Sequence, residues 1–243
     1  MKSSYKSTAK DTIINGIADF LLIPLTFIKL PLLTKNLSAT EYGIWGLMHT
    51  TAGLALPLTT LGLGVAMSRF LPYEKDKNKL SEGFYSVFFI RIALCLLIIS
   101  LLLIFKQYIA LKFFDNNIKV VELMTLFILL SIIQPIYMRM VTIFRLIKAR
   151  SILRIIDSYI PIAVIAILFY FDYGLISIIK STIVIKALIT LYLFIYTFPR
   201  IGIKIPKFTP VGEYLSYGLP TLPASLGFWL VNLSDRFLVT FFL

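Results

Sequence analysis

Ionisable side chains interrupt long apolar stretches of this sequence, in places where lipid would be the solvent. Asp19, Lys29, Arg91, Lys180, Lys186, Asp235 and Arg236 are such residues, and Asp157 stands nearer the end of its stretch. A charge in hydrocarbon is costly and generally faces a bundle interior or a wet cavity, so each is a candidate for binding chemistry. Arg154 and Asp157, spaced i, i+3, are expected to pair locally. Lys29, near one end of its stretch, and Arg91, about two turns in, stand where snorkelling would satisfy them. Asp235 and Arg236 are adjacent, hence about 100° apart on a helix, and do not easily pair with each other. Lys180 and Lys186 are about 120° apart, so at most one belongs to a given stripe. The remaining cations, Lys29, Arg91, Lys180, Lys186 and Arg236, outnumber Asp19 and Asp235. Guanidinium and ammonium groups hold phosphate oxygens through charge-assisted hydrogen bonds, so a cationic interior suits a phosphorylated or otherwise acidic ligand.

Uncharged polar residues follow the same faces. Thr221, Ser225, Trp229, Asn232 and Arg236 fall within about 80° of one another at 100° per residue. Thr12, Asn15, Asp19 and Thr26 share a face about 60° wide, and Thr182, Lys186, Thr190 and Thr197 one about 80° wide. Three such stripes predict a polar cavity enclosed by a helical bundle. Asp19, Lys29, Arg91, Lys186, Trp229 and Asn232 are its candidate ligand-binding residues. His49 is the only histidine and Cys95 the only cysteine, which leaves little material for a metal site, a His-based triad or a disulfide framework. No metal, cofactor or catalytic residue is expected.

The elements that must position these residues are seven apolar runs: Thr12–Thr34, Tyr42–Ser68, Phe84–Phe105, Val120–Ile143, Ile152–Phe171, Gly174–Phe198 and Tyr217–Leu243. A helix needs about 20 mostly apolar residues to cross about 30 Å of hydrocarbon, and each run suffices. Hydrophobic residues make up 58% and charged residues 15% of the chain, far from the roughly one quarter charged of a soluble domain. The expected fold is an all-α polytopic membrane protein. Residues 1–200 form a six-helix N-terminal lobe, 201–216 a cytoplasmic linker marked by Pro206 and Pro210, and 217–243 the first helix of a truncated second lobe.

Charge sets the expected orientation. With the N-terminus in the cytoplasm, 15 of the 24 Lys and Arg residues fall on the cytoplasmic side and only Lys35, Lys106, Lys112 and Lys119 on the other. Loops are short, so the positive-inside rule applies. Basic loops facing anionic headgroups account for the net charge of +12, and nucleic-acid binding is excluded as its explanation. The basic Met1–Lys10 segment precedes an apolar stretch too long for a cleaved signal peptide, so it leads an uncleaved first helix.

Proline and glycine punctuate two runs in equivalent places of a six-plus-six arrangement: Pro24 and Pro31 in the first, Gly218, Pro220, Pro223 and Gly227 in the seventh. Matched interruptions of this kind point to a transport site; kinking for packing is the plain alternative. Gly43 and Gly46, one turn apart in the second run, are expected to admit a close neighbouring helix.

Leu37-Ser38 with Glu41-Tyr42-Gly43-Ile44-Trp45-Gly46-Leu47 is similar to the first external loop and second helix of prokaryotic polysaccharide flippases. Leu61-Gly62-Leu63-Gly64 leading to Arg69-Phe70 resembles the end of that helix. Gly218-Leu219-Pro220, Pro223 and Asn232-Leu233-Ser234-Asp235-Arg236-Phe237 resemble their seventh helix. The resemblance is to the polysaccharide and lipid-linked oligosaccharide branch of the multidrug/oligosaccharidyl-lipid/polysaccharide exporter superfamily. It implies a two-lobed alternating-access bundle that turns over a polyprenyl-pyrophosphate-linked oligosaccharide from the inner to the outer leaflet of the cytoplasmic membrane. It also implies Ser234, Asp235 and Arg236 as cavity residues. The partners so implied are lipid-linked oligosaccharide, membrane lipids, a second lobe on a longer or separate chain, and polysaccharide polymerase or export machinery.

Two transport alternatives stay open: a multidrug cation antiporter of the same superfamily, which would favour acidic cavity groups, and a peptidoglycan-precursor flippase. An enzyme is not expected. The longest external loop has about fourteen residues with no Asp-x-Asp, and no Gly-x4-Gly-Lys-Ser/Thr phosphate loop occurs. Asp19 is the candidate carrier of a coupling proton or Na⁺, since burial raises a carboxylate's pKa.

Overall fold

The computed structural model describes residues 2–233, with side chains from residue 11 onward. These residues form α1 (Lys2–Asn36), α2 (Ala39–Thr60), α3 (Leu63–Phe70), α4 (Lys77–Ile104), α5 (Lys106–Phe113), α6 (Ile118–Ile143), α7 (Ile147–Tyr170), α8 (Leu175–Ile201), α9 (Val211–Gly218) and α10 (Leu222–Leu233). Short 3₁₀ turns follow α3 at Leu71–Tyr73 and α9 at Leu219–Thr221. Among the described residues five helices are long and apolar enough to cross a membrane, six if the bent α2–α3 pair is one span. The chain is an all-helical, multi-pass membrane protein. Residues 234–243 lie outside the described residues, so the end of the seventh run does too.

Several helices begin where the sequence supplies caps. Ser38 opens α2 with a capping box: its Oγ accepts from the Glu41 amide at 3.2 Å, and its own amide donates to Glu41 Oε2 at 3.0 Å. Asp76 caps α4 by accepting from the Asn78 amide, and Asn117 caps α6 by accepting from Val120. The last carbonyls of α8 are satisfied by side chains of α4. Ser81 donates to Ile201, Tyr85 to Gly202 at 2.7 Å, and Lys77 to Pro199 at 3.3 Å. These bonds hold the start of the 201–216 segment against the lobe.

α6 is the central helix and packs on α8, α4, α2 and α7, while α1 lies mainly on α7. Ile128, Ile132, Ile136 and Met140 of α6 are fully or almost fully buried. Large apolar side chains on the outer helices point outward instead, for example Phe27 and Ile104, each over 70% exposed. Bilayer, not water, is the solvent that such a surface requires.

α2 and α3 meet at a 55° bend. Leu61 and Gly62 there have left-handed backbones, at φ 45° and 70°. Gly62 lies directly on Gly218 at the end of α9: a Cβ on Gly62 would stand 1.9 Å from the Gly218 carbonyl oxygen. Of Gly43 and Gly46, where a close neighbour was expected, Gly46 is buried, whereas a Cβ on Gly43 would meet nothing within 4 Å. The glycines that touch are 156 positions apart in sequence, and no local pattern pairs them.

Helices also outrun the apolar runs. α4 starts at Lys77 and α7 at Ile147, seven and five residues before the runs they contain. Hydropathy marks the depth of lipid, whereas the hydrogen-bonded helix continues into the polar boundary. The segment read as a loop at Lys106–Lys119 contains α5, held by buried Ala110 and Phe114. Within 201–216 the extended part ends at the turn at Thr209–Pro210, and α9 follows.

Candidate functional site

Two cavities enter the bundle from adjoining sides and share Gly53, Leu56 and Pro135 in their walls. Cavity A, about 610 Å³, lies among α1, α2, α6, α7 and α8. Cavity B, about 680 Å³, lies among α2, α3, α4, α6 and the α10 segment. Pro135 of α6 sits between them; a proline lacks the amide of its helical turn and leaves a carbonyl to be satisfied elsewhere.

Cavity A gathers Lys29 of α1, His49 of α2, Asp157 of α7 and Lys186 of α8. Lys186 Nζ donates to Gln134 Oε1 at 3.0 Å and lies 5.5 Å from the centre of the Phe127 ring. His49 is wedged between Trp45 and Phe127, with ring centroids 4.5 and 4.9 Å away. Two ammonium groups therefore face one carboxylate in a wall that also carries aromatic rings.

Cavity B holds Arg91 of α4 and Arg139 of α6, and among the described residues lining it there is no Asp or Glu. Arg91 is 2% exposed. Its Nη2 donates to the Ile132 carbonyl at 3.2 Å, while its Nε is buried with no hydrogen-bond partner. Arg139 Nη1 donates to Ser68 Oγ at 2.7 Å. Thr221, Ser225 and Trp229 complete the wall from the α10 side. The Trp229 indole donates to the Thr50 carbonyl at 3.0 Å, which ties α10 to α2.

The structure brings together only part of the expected set. Lys29 and Lys186 meet in cavity A, and Arg91 and Trp229 in cavity B. Arg91 does not snorkel, because its guanidinium turns inward to α6. Asp19 lines neither cavity and accepts from Arg154 Nη2 at 2.6 Å. The local Arg154–Asp157 pair is thereby replaced by a bridge between α1 and α7, which leaves Asp157 to cavity A. Asn15, on the same face of α1 as Asp19, accepts from Ser151 of α7 at 3.2 Å, so these two residues form a helix seam, while Thr26 of the stripe lines cavity A. Asn232 turns back to the Phe228 carbonyl at 2.8 Å and lines neither cavity. Thr190 and Thr197 bond to carbonyls of their own helix. Lys180 is exposed, consistent with its place off the Lys186 stripe. Ser234, Asp235 and Arg236 lie outside the described residues.

Arg139 and Gln134 are residues of the site that the sequence pattern passes over, and Asp157 is one that it assigns to a local ion pair. Arg139 reads as part of a basic loop because Arg145, Lys148 and Arg150 follow it, yet α6 runs to Ile143. Gln134 carried a usable signal: an amide beside Pro135 in the middle of an apolar run. Outside the spans, Tyr214 of α9 packs into a wall with Glu74, Glu82 and Glu213. Burial, and then the charges of Glu213, Glu74 and Glu82, push its phenol up to about 12.

Chemically, cavity B can hold an anion, because among the described residues its two guanidiniums meet no carboxylate and one retains an unsatisfied N–H. A family model described as polysaccharide biosynthesis protein matches residues 8–243. No curated protein and no solved structure matches the chain.

Proposed function

The chain belongs to the polysaccharide biosynthesis protein family, and we propose that it translocates a polyprenyl-pyrophosphate-linked oligosaccharide between leaflets of the cytoplasmic membrane by alternating access. The observation that carries this reading is Arg91. A buried guanidinium with an unsatisfied Nε faces a cavity that holds a second arginine and, among the described residues, no carboxylate. A pyrophosphate group supplies the charge and the acceptor oxygens together. Lys29 and Lys186 supply a basic lining in cavity A, which adjoins cavity B across Gly53, Leu56 and Pro135. The lipid tail would lie against the apolar outer surface, and a second lobe would close the cavities from the open side.

The test is leaflet translocation of a fluorescent polyprenyl-pyrophosphate oligosaccharide in vesicles containing the chain and whatever second lobe accompanies it. Arg91→Gln is expected to reduce the rate by at least about tenfold, the value of one charge-assisted hydrogen bond in a dry site. Translocation at the wild-type rate by Arg91→Gln would remove the reading.

A further inference from the structure

Arg139 lines cavity B with one side of its guanidinium and holds α3 with the other. Its Nη1 donates to Ser68 Oγ, and its Nε lies 3.2 Å from where a Cβ on Gly64 would stand, so the guanidinium rests on the bare backbone of α3. The opposite face of α3 and its flanks are packed on α9. Phe70 stacks on Tyr214 with ring centroids 5.3 Å apart, Tyr217 meets the Phe70 edge at 5.6 Å, and Arg69 lies 5.9 Å from the Tyr217 ring centre. The Gly62–Gly218 contact sits at the junction, where the α2–α3 bend and the α9 turn cross backbone to backbone. α3 thus lines cavity B on the side of Gly64 and Val65, near Arg139, and is itself braced by α9. Seal and cavity share one charged side chain.

We infer that Arg139 is a positioning residue that couples anion occupancy of cavity B to the α3–α9 seal. It holds Ser68 when the cavity lacks an anion and turns to the phosphate oxygens when one is bound. The inference rests on the anion reading of cavity B. A neutral hydroxyl competes poorly with an anionic oxygen for a guanidinium, since charge-assisted bonds to an ionised acceptor are roughly twice as strong. Loss of the Ser68 bond removes one tie between α3 and α6, and the Gly62–Gly218 backbone contact, with no side chains between, is the pivot about which α3 turns. Arg91 stays anchored to Ile132 and keeps the anion in place as Arg139 moves.

The experiment measures the α3–α9 separation directly. Spin labels go on Tyr73→Cys and Ser216→Cys, both exposed, in a Cys95→Ala background of the full chain in phosphatidylcholine vesicles. Distance distributions are recorded with inorganic pyrophosphate in the aqueous phase, with farnesyl pyrophosphate in the bilayer, and with chloride at matched ionic strength. Pyrophosphate is expected to raise the widely separated population about fivefold, within the range of one ordinary net hydrogen bond. A response to farnesyl pyrophosphate alone assigns the anion to a lipid headgroup, and a response to both assigns it to the pyrophosphate group itself. Ser68→Ala is expected to widen the distribution without any pyrophosphate, and Arg139→Gln to widen it and abolish the response. The inference is overturned if neither pyrophosphate widens the wild-type distribution, if Ser68→Ala keeps that distribution unchanged, or if the response persists in Arg139→Gln. Ser68 is exposed, so its alanine variant decides the matter even where Arg139→Gln does not fold. Failed translocation of the oligosaccharide with an intact spin-label response would sink the flippase reading alone.

Discussion

Arg91 shows what a buried charge does in this bundle. Its partner is a main-chain carbonyl rather than a carboxylate, so the side chain adds little to stability for the desolvation it requires. Arg91→Met, similar in length and apolar, is therefore expected to hold or raise the melting temperature while abolishing transport; a matched loss of both would make Arg91 a structural residue. The Asp19–Arg154 bridge behaves differently. In water such a pair contributes about 0–1 kcal/mol, but these groups lie along α1 and α7, where lipid replaces water around any unpaired charge. Asp19→Asn and Arg154→Gln should each destabilise by more than that range. The double variant should cost less than the sum of the two, as a double-mutant thermal-unfolding cycle would show. Asp19 is held in this bridge, whereas Asp157 is the carboxylate among the described residues lining cavity A. Which cation meets which anion was not legible beforehand. Asp19 and Arg154 are 135 positions apart, and stripe geometry finds the polar face of each helix without naming its neighbour.

Helices were legible because hydropathy is a local property, and so was the break at Leu219–Thr221; α1 runs unbroken through Pro24 and Pro31, and contacts between helices were not legible. The punctuation at Gly62 and Gly218 was visible as residue types, yet their mutual contact depends on how α2, α3 and α9 cross. That contact makes a sharp comparison with Gly43. Gly62→Ala places a methyl 1.9 Å from the Gly218 carbonyl in a left-handed backbone, and should cost well over about 1 kcal/mol. Gly43→Ala lies in open space within α2 and should stabilise by about 0.5–1 kcal/mol, the helical preference of Ala over Gly. Thermal unfolding in detergent separates the two; equal effects would mean that the backbone contact does not form. A second handle on the same seal is Tyr214. Its phenol is pushed up to about 12 from an ordinary 10, so the folded state holds the proton more tightly than the unfolded one. Stability from this group is complete below about pH 10 and is lost as pH rises through about 12. Tyr214→Phe should remove that alkaline loss from the α3–α9 packing, read by hydrogen exchange of α9 amides.

At the scale of the whole molecule, the two ends of the bundle differ in charge as well as in structure. The end carrying the α3–α9 seal also carries Arg69, Lys75, Lys77 and Lys79, the basic start of α7 and the end of α8. The opposite end carries the Ser38 cap, α5 and the Asp172 turn, with an ion pair between Lys106 and Glu122 at 2.7 Å. Translocation of a helix hairpin across the membrane is resisted by Lys and Arg in its short loops, so we propose that the basic end faces the cytoplasm. A sole cysteine at Lys75→Cys should then react with an impermeant maleimide only from the cytoplasmic face. One at Asp115→Cys, near the tip of the opposite end, should react only from the other. The reverse pattern would place the seal at the outer surface and invert the direction in which anion binding opens cavity B. This orientation matters for mechanism because an anionic headgroup offered from the cytoplasmic leaflet would meet Arg139 at the seal before it reaches Arg91. Entry, release of Ser68 and capture by the buried guanidinium would then follow one another along a single wall of α6.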